Sequence, residues 1–197
     1  MDRKPIFSPS GVHKLLGKGK KEYFSQEGIS YIYEVVYRRL GGEIPDINTF
    51  SVNWGKEQEQ EAKKVLRGLG YEFVDGEFKA SVEFPDWFGG TCDGLGEDFI
   101  LEIKCPSTYL VHMKSVLDGE INKAYIAQMQ AYMWLYDKPR ALFVSFDPRL
   151  PHAAGLHVIE VPREEDSIEF MKEQLGHAIE YAEELLTRLE NVKLPTL

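Results

Sequence analysis

In the stretch TCDGLGEDFILEIKCPS, residues 91–107, two carboxylates and an amine are spaced so that they can meet. Glu102 and Lys104 flank one residue of an apolar run that reads as a strand, so both side chains point to the same face. Asp93 lies just upstream, behind a glycine-bearing turn. Two carboxylates at one spot repel, and one of them protonates unless a cation neutralises the pair. Mg²⁺ suits such a spot, because it takes oxygen ligands and is usually held by one or two carboxylates plus substrate phosphates. The main-chain carbonyl of Ile103 offers one more oxygen. Lys104 would orient or deprotonate a water there, or stabilise charge on a phosphoryl oxygen. The chemistry this points to is metal-assisted phosphodiester hydrolysis. The plain alternative is a Glu102–Lys104 ion pair on the wet face of an antiparallel sheet. Three features favour the site: the run is otherwise so apolar that its place in the sheet should be central, Asp93-Gly94 lies one turn upstream, and Pro106 ends the strand beside the proposed centre.

The elements that must position these residues follow from hydrophobic period and stop signals. Residues 8–17 predict a short helix capped by Ser8 or Ser10 and ended by Gly17. Residues 25–42 predict an amphipathic helix stopped by Gly41 and Gly42, and residues 51–70 a third helix stopped by Gly70. The texture then changes. Residues 71–84 alternate and break at Asp75-Gly76, which predicts a hairpin. Strands are expected over 87–94 and 98–105, a helix opened by Pro106, and an apolar helix over 122–137. A buried strand over 140–148, an edge strand over 155–163 and a long C-terminal amphipathic helix complete the chain. The order predicts an α/β (α+β) fold with a central mixed β-sheet flanked by helices. Residues 1–197 read as one domain, with a helical part over 1–70, a sheet core over 71–162 and a terminal helix over 163–191.

At 197 residues and 43% apolar content, the chain is long enough to bury a core without disulfide staples. Its two cysteines, Cys92 and Cys105, lack the spacing of a zinc site, and their strand context suggests a reduced, cytosolic-type protein. The first residues show no signal-peptide pattern, and no run of about 18 apolar residues could span a membrane. These features predict a soluble cytoplasmic protein. The net charge of −9 argues against a generic nucleic-acid binder. The charge is uneven, however: KLLGKGKK is basic near the N-terminus, while REEDSIEFMKEQ and EYAEELL are acidic near the C-terminus. That distribution allows a basic inner face and an acidic outer one.

Asp93 followed by Glu102-x-Lys104 on adjacent strands resembles the PD-(D/E)xK nuclease superfamily, although Thr91-Cys92-Asp93 lacks the proline of that motif. Three further stretches sharpen the resemblance: WGKEQEQEA (54–62), YIAQMQAYMW (125–134) and FDPR (146–149). Together with EIKCP and in this order, they resemble the phage λ exonuclease/YqaJ-type viral recombinases from about Ser10 to Arg163. The resemblance implies a restriction-endonuclease-like core. It also implies a Mg²⁺-dependent 5′-to-3′ exonuclease on linear double-stranded DNA, with Mn²⁺ as an alternative ion. Hydrolysis would use two metals and leave 3′ single-stranded overhangs for recombination.

Residue by residue, the resemblance implies metal ligation by Asp93, Glu102 and the Ile103 carbonyl, with Glu59 entering from the WG-x-x-x-E helix. By composition alone Glu59 belongs to a solvated run with Glu57 and Glu61. Gln128 would position water or phosphate, and Tyr125, three residues earlier on the same helix face, would contact the DNA backbone. Gln130, at i+2 from Gln128, points elsewhere. Arg3 and Ser10 stand where the family binds the 5′-phosphate; Ser10 as a helix cap and Arg3 as a frayed end are the bland alternatives. Asp86 could touch a second metal or cap a turn, with Glu83 as its rival; Trp87 and Phe88 could stack on DNA bases, core packing being the plainer fate; Arg149 and the histidines receive no role. The implied partners are DNA ends, two further copies in a ring-shaped trimer and a single-strand annealing protein. The implied setting is a phage or prophage gene expressed in a bacterial host.

Other readings stand beside this one. A RecB-like nuclease acting on single strands or flaps would keep the same centre, but its iron–sulfur branch needs four cysteine ligands and the chain has two. A non-catalytic DNA-end-binding module would keep the fold, though it has no use for an intact acid–acid–lysine set.

Overall fold

A computed structural model of the chain describes residues 4–19, 23–45 and 50–192. Arg3 lies outside the described residues. The frame of the fold is a four-stranded mixed sheet in the order β3 (Gly94–Leu95), β4 (Phe99–Lys104), β5 (Arg140–Phe146) and β6 (Leu156–Pro162). β4 runs antiparallel to β3 and parallel to β5, with Glu102 opposite Phe143 and Lys104 opposite Ser145. β5 and β6 are antiparallel. The apolar run of residues 99–104 is therefore an inner strand, as its composition predicts. β1 (Lys79–Ala80) and β2 (Gly89–Gly90) form a separate two-stranded ribbon.

The period of two along β4 and β5 divides the core into two layers. Ile100, Ala141, Phe143 and Val161 face one cluster. It is built from α1 (Gln26–Arg39), α4 (Lys123–Tyr136), α5 (Glu165–Glu190) and the 3-10 segment Val12–Leu16. Phe99, Leu101, Ile103, Leu142, Val144 and Phe146 face the other cluster, closed by Ala62 and Leu66 of α2 (Phe50–Gly68). Each of these aliphatic side chains, once buried, stabilises the fold by about 1.5–3 kcal/mol. α4 is buried on nearly every side, as its all-round apolar sequence requires. It returns the chain from β4 to the parallel β5, together with α3 (Tyr109–Asp118). Among the described residues no helix is long and apolar enough to cross a membrane.

Several expectations are corrected. The Asp75-Gly76 hairpin over 71–84 does not form: Val74 bridges to Leu95, and Lys79–Ala80 pairs with Gly89–Gly90. Tyr71 and Phe73 pack instead against the α2 layer. Gly76 is required by close approach, since a Cβ there would meet the Cys92 carbonyl oxygen at 2.1 Å. The strand expected over 87–94 is reduced to two short pieces. Neither Ser8 nor Ser10 caps the first turn, whose N-cap is Gly11 with no side-chain bond. Both serine hydroxyls join a small cluster with Tyr31. α3 begins three residues after Pro106, because Arg149 binds the Pro106 and Ser107 carbonyls and holds that segment as a loop. It ends at Gly119, which takes the left-handed region at φ 64°.

Candidate active site

β4 and β5 both point their C-terminal ends at a cleft of about 700 Å³. Crevices at the carboxyl ends of parallel strands are where open α/β sheets place their sites. The cleft is lined by Asp93, Glu102, Ile103 and Lys104 from the sheet and by Glu59 from α2. Tyr125 and Gln128 of α4 line it too. Seven of the residues singled out in the sequence thus share one concavity. Ser10 is not among the lining residues.

Asp93 stands just before β3, and its side chain adds a rung to the ladder. Its Oδ2 accepts a 2.6 Å hydrogen bond from the Ile103 N–H, while its own N–H donates to the Leu101 carbonyl. Burial pushes the Asp93 carboxyl up to about 6; the nearby Glu59 adds to the rise, and the Ile103 N–H, Lys104 and Lys63 oppose it. Glu102 is only 1% exposed. Burial, then repulsion from Asp93, raises its carboxyl to about 8 against the attraction of Lys104. The Lys104 ammonium lies 2.5 Å from Glu102 Oε1. That contact engages Oε1, and among the described residues Oε2 has no hydrogen-bond partner. A wet-face pair is excluded, since Glu102 is buried, although the Lys104 side chain stays 27% exposed at the cleft. Burial alone would lower the Lys104 ammonium, but Glu102 and Asp93 outweigh it and hold it above its usual range. The Tyr125 ring lies 4.7 Å beneath it and stacks in turn near Phe143.

Glu59 is selected from its acidic run by geometry. It lines the cleft, whereas Glu57 and Glu61 are exposed. Its carboxylate does not converge with Asp93 and Glu102 into a three-acid cluster; among the described residues no group of three or more His, Cys, Asp or Glu could hold a metal. Glu59 Oε1 instead meets the Lys63 ammonium at 2.8 Å. The group that fits a cation is therefore Asp93, Glu102 and the Ile103 carbonyl. Two buried carboxylates side by side are costly to ionise unless cations offset both charges, and Lys104 supplies only one. Two carboxylates and a carbonyl also match the hard-oxygen set of a hydrated Mg²⁺.

The two glutamines separate as their spacing requires. Gln128 faces the cleft, next to Tyr132, whose hydroxyl donates to the Thr91 carbonyl. Gln130 faces away: it donates to the Pro162 carbonyl and accepts from the Glu164 N–H, joining the end of β6 to the start of α5.

Residues without a firm earlier role now have places. Arg149 grips the buried Asp147 through two 2.7 Å contacts and lies over the Trp54 ring. It thus fastens the WG end of α2 to the loop after β4. Glu83 pairs with Lys172, Asp86 offers its carbonyl to Arg39, and Trp87 is covered by that guanidinium. Cys92 and Cys105 are free and buried, and burial raises both thiols. Sequence reasoning missed two groups. His112, fully buried, contacts Ser145 Oγ at 2.9 Å and the Ala154 carbonyl at 2.7 Å. Lys63 is likewise buried; its only signal was its place four residues after Glu59.

A family model of the YqaJ-like viral recombinase domain matches residues 1–139. The ExoD protein of Escherichia coli (strain K12) is 34% identical over 79 residues, which cover 39% of this chain and 90% of ExoD. Among solved structures, the chain is similar to an alkaline exonuclease of Laribacter hongkongensis, with 24% identity, 95% of this chain and 93% of that one covered, and a TM-score of 0.84. It is also similar to a phage-related exonuclease of Haemophilus somnus 129PT, with 20% identity, 93% and 96% coverage and a TM-score of 0.75. The α/β fold with its mixed sheet is that of these exonuclease structures.

Proposed function

We propose that this chain, which belongs to the YqaJ-like viral recombinase family, is a divalent-metal-dependent deoxyribonuclease, an exonuclease acting on linear duplex DNA. In its finer form the proposal is degradation of the 5′-ended strand, leaving a 3′ overhang for recombination. The single observation that carries it is Glu102: a buried carboxylate at the cleft, set beside a second acid, Asp93, with the one ammonium of Lys104 against Oε1. The names of the similar exonuclease structures agree with this chemistry.

Asp93, Glu102 and the Ile103 carbonyl would hold the cation, Mg²⁺ with Mn²⁺ as a substitute. A bound divalent ion supplies Lewis-acid polarisation of the scissile phosphate and lowers the pKa of water. Lys104, charged and pinned beside Glu102, orients the attacking water and steadies charge growing on the phosphoryl oxygens. Glu59 supports a second ion or the water from the opposite wall. Gln128 positions the water, and Tyr125 meets the DNA backbone. Arg3 and Ser10 are assigned to the 5′-phosphate on resemblance alone. Residues 1–197 act as one nuclease domain in the cytoplasm of a bacterial host, encoded by a phage or prophage. A ring of three copies would place the basic stretches around a DNA channel and the acidic helices outside, which reconciles the net charge of −9 with a DNA substrate. A single-strand annealing protein would receive the overhang.

The test uses linear duplex DNA labelled at either end, with 5′-phosphate or 5′-hydroxyl, in Mg²⁺ or EDTA. The proposal predicts Mg²⁺-dependent release of the 5′ label, faster from phosphorylated ends. Release of the 3′ label or internal cuts would keep the metal chemistry and overturn the polarity. Binding without any cleavage would leave an end-binding module. Sizing at working concentration should give a trimer; a monomer would overturn the ring.

A further inference from the structure

The Asp75-Gly76 turn forms no hairpin, and its acid has another place. Lys63 carries a side chain only 5% exposed, on the buried face of α2. Its ammonium meets Glu59 Oε1 at 2.8 Å and Asp75 Oδ1 at 3.4 Å. Arg67, one turn further along α2, also reaches Asp75 Oδ1 at 3.3 Å. Gly76, next in the chain, packs against the carbonyl of Cys92, the residue before Asp93. One linked set of contacts therefore runs from Glu59 through Lys63 and Asp75 to the backbone that presents Asp93.

A buried ammonium is tolerated only when neutralised and hydrogen-bonded. Here two carboxylates share it, and they are not equivalent: Asp75 is 64% exposed, whereas Glu59 lines the cleft. Glutamate four residues before lysine is also the favourable order on a helix. Nζ engages Glu59 Oε1, which leaves Oε2 as the oxygen to offer a cation. An unneutralised lysine at this distance would repel a divalent ion, but Asp75, which it shares with Arg67, offsets part of that charge.

We propose that Lys63 is a positioning residue for Glu59, fixing its carboxylate at the wall of the cleft so that one oxygen is presented to a divalent cation, while Asp75 offsets part of the ammonium's charge. The inference rests on the metal-nuclease proposal above. Contacts to the outer side of a metal ligand set affinity by roughly tenfold or more.

The experiment is Mn²⁺ titration of the full chain, following free Mn²⁺ by electron paramagnetic resonance, with metal-free melting and circular dichroism as controls. Wild-type protein is compared with Lys63→Met, Lys63→Arg, Asp75→Asn, Glu59→Gln and the Glu59→Gln/Lys63→Met double variant. Lys63→Met should weaken Mn²⁺ binding about tenfold, and Lys63→Arg should restore most of it. In the Glu59→Gln background, Lys63→Met should cause no further loss. Wild-type affinity in Lys63→Met, or an equal loss in the Glu59→Gln background, would overturn the proposal. If Lys63→Met does not fold, Asp75→Asn decides: weaker Mn²⁺ binding supports the proposal and unchanged binding overturns it. Wild-type protein that binds no Mn²⁺ at all would overturn the metal-nuclease reading itself, before any variant is compared.

Discussion

Lys104 Nζ lies 2.5 Å from Oε1 of the buried Glu102, and among the described residues Oε2 has no hydrogen-bond partner. Structural ion pairs in dry surroundings need good geometry and full satisfaction to break even against desolvation. Here one ammonium faces two acids, since Asp93 repels Glu102 as well, and a cation would offset the excess charge. Lys104→Ala should reduce cleavage by about 10²–10⁴-fold, the usual worth of a positioned proton-transfer group. DNA binding, measured with Ca²⁺ or EDTA present, should be retained. Turnover near the wild-type rate would remove Lys104 from the centre.

The same carboxylates set a pH dependence. Glu102 is raised to about 8 and Asp93 to about 6, so the folded metal-free protein holds protons that the unfolded chain releases. Stability falls with pH wherever the native state binds more protons. The metal-free melting temperature should therefore decline as pH rises from the ordinary carboxylate range to about 8. Saturating Mg²⁺ should flatten that decline, because the ion favours the ionised pair. Cleavage should rise with pH through the same window. Calorimetry in buffers of different ionisation enthalpy should record protons released on metal binding at neutral pH. A metal-free melting temperature that climbs across this window would contradict the assignment.

Gln128 and Gln130 make a paired test. Gln130→Ala removes two hydrogen bonds that join β6 to α5 and should cost about 2–3 kcal/mol of stability. The rate constant for cleavage should not change. Gln128→Ala should lower the cleavage rate with a smaller effect on melting. If the two phenotypes exchange, the assignment of the α4 faces is wrong.

Arg149 grips a carboxylate, Asp147, that is 2% exposed. The guanidinium itself is half-exposed, which reduces the worth of the pair, and the Arg149 N–H would still serve Asp147. Arg149→Ala should destabilise the protein by about 1–3 kcal/mol, a fall of several degrees in the melting temperature. Arg149 holds the Asp147 carboxyl below its ordinary range, so this stability is present above that range and is lost as pH falls through the depressed value. The melting gap between wild type and variant should therefore narrow in acid.

Asp93, Glu102 and Lys104 were legible because a strand has a period of two and charges stand out in an apolar run. Glu59 was legible only through its resemblance: in EQEQE, helix periodicity cannot say which acid faces inward, and the answer depends on how α2 lies against β4. Lys63 was illegible for the same reason. It sits beside Lys64, which is 72% exposed, and its one local difference, a place four residues after Glu59, says nothing of burial while Glu59 itself reads as solvated. The Asp75-Gly76 signal misled because the glycine answers a tertiary contact with Cys92 rather than a turn. Of Arg149's partners only Asp147 is local, two residues away in FDPR; Trp54 and the Ser107 carbonyl reach it only in the folded chain.

The central claim is that Asp93, Glu102 and the Ile103 carbonyl hold the catalytic cation. Crystals soaked in Mn²⁺ and measured at the manganese absorption edge test it most directly. The account predicts an anomalous peak in contact with these three groups, absent from Glu102→Gln crystals treated in the same way. Manganese bound elsewhere in the cleft, in protein that Mn²⁺ activates for DNA cleavage, would contradict it.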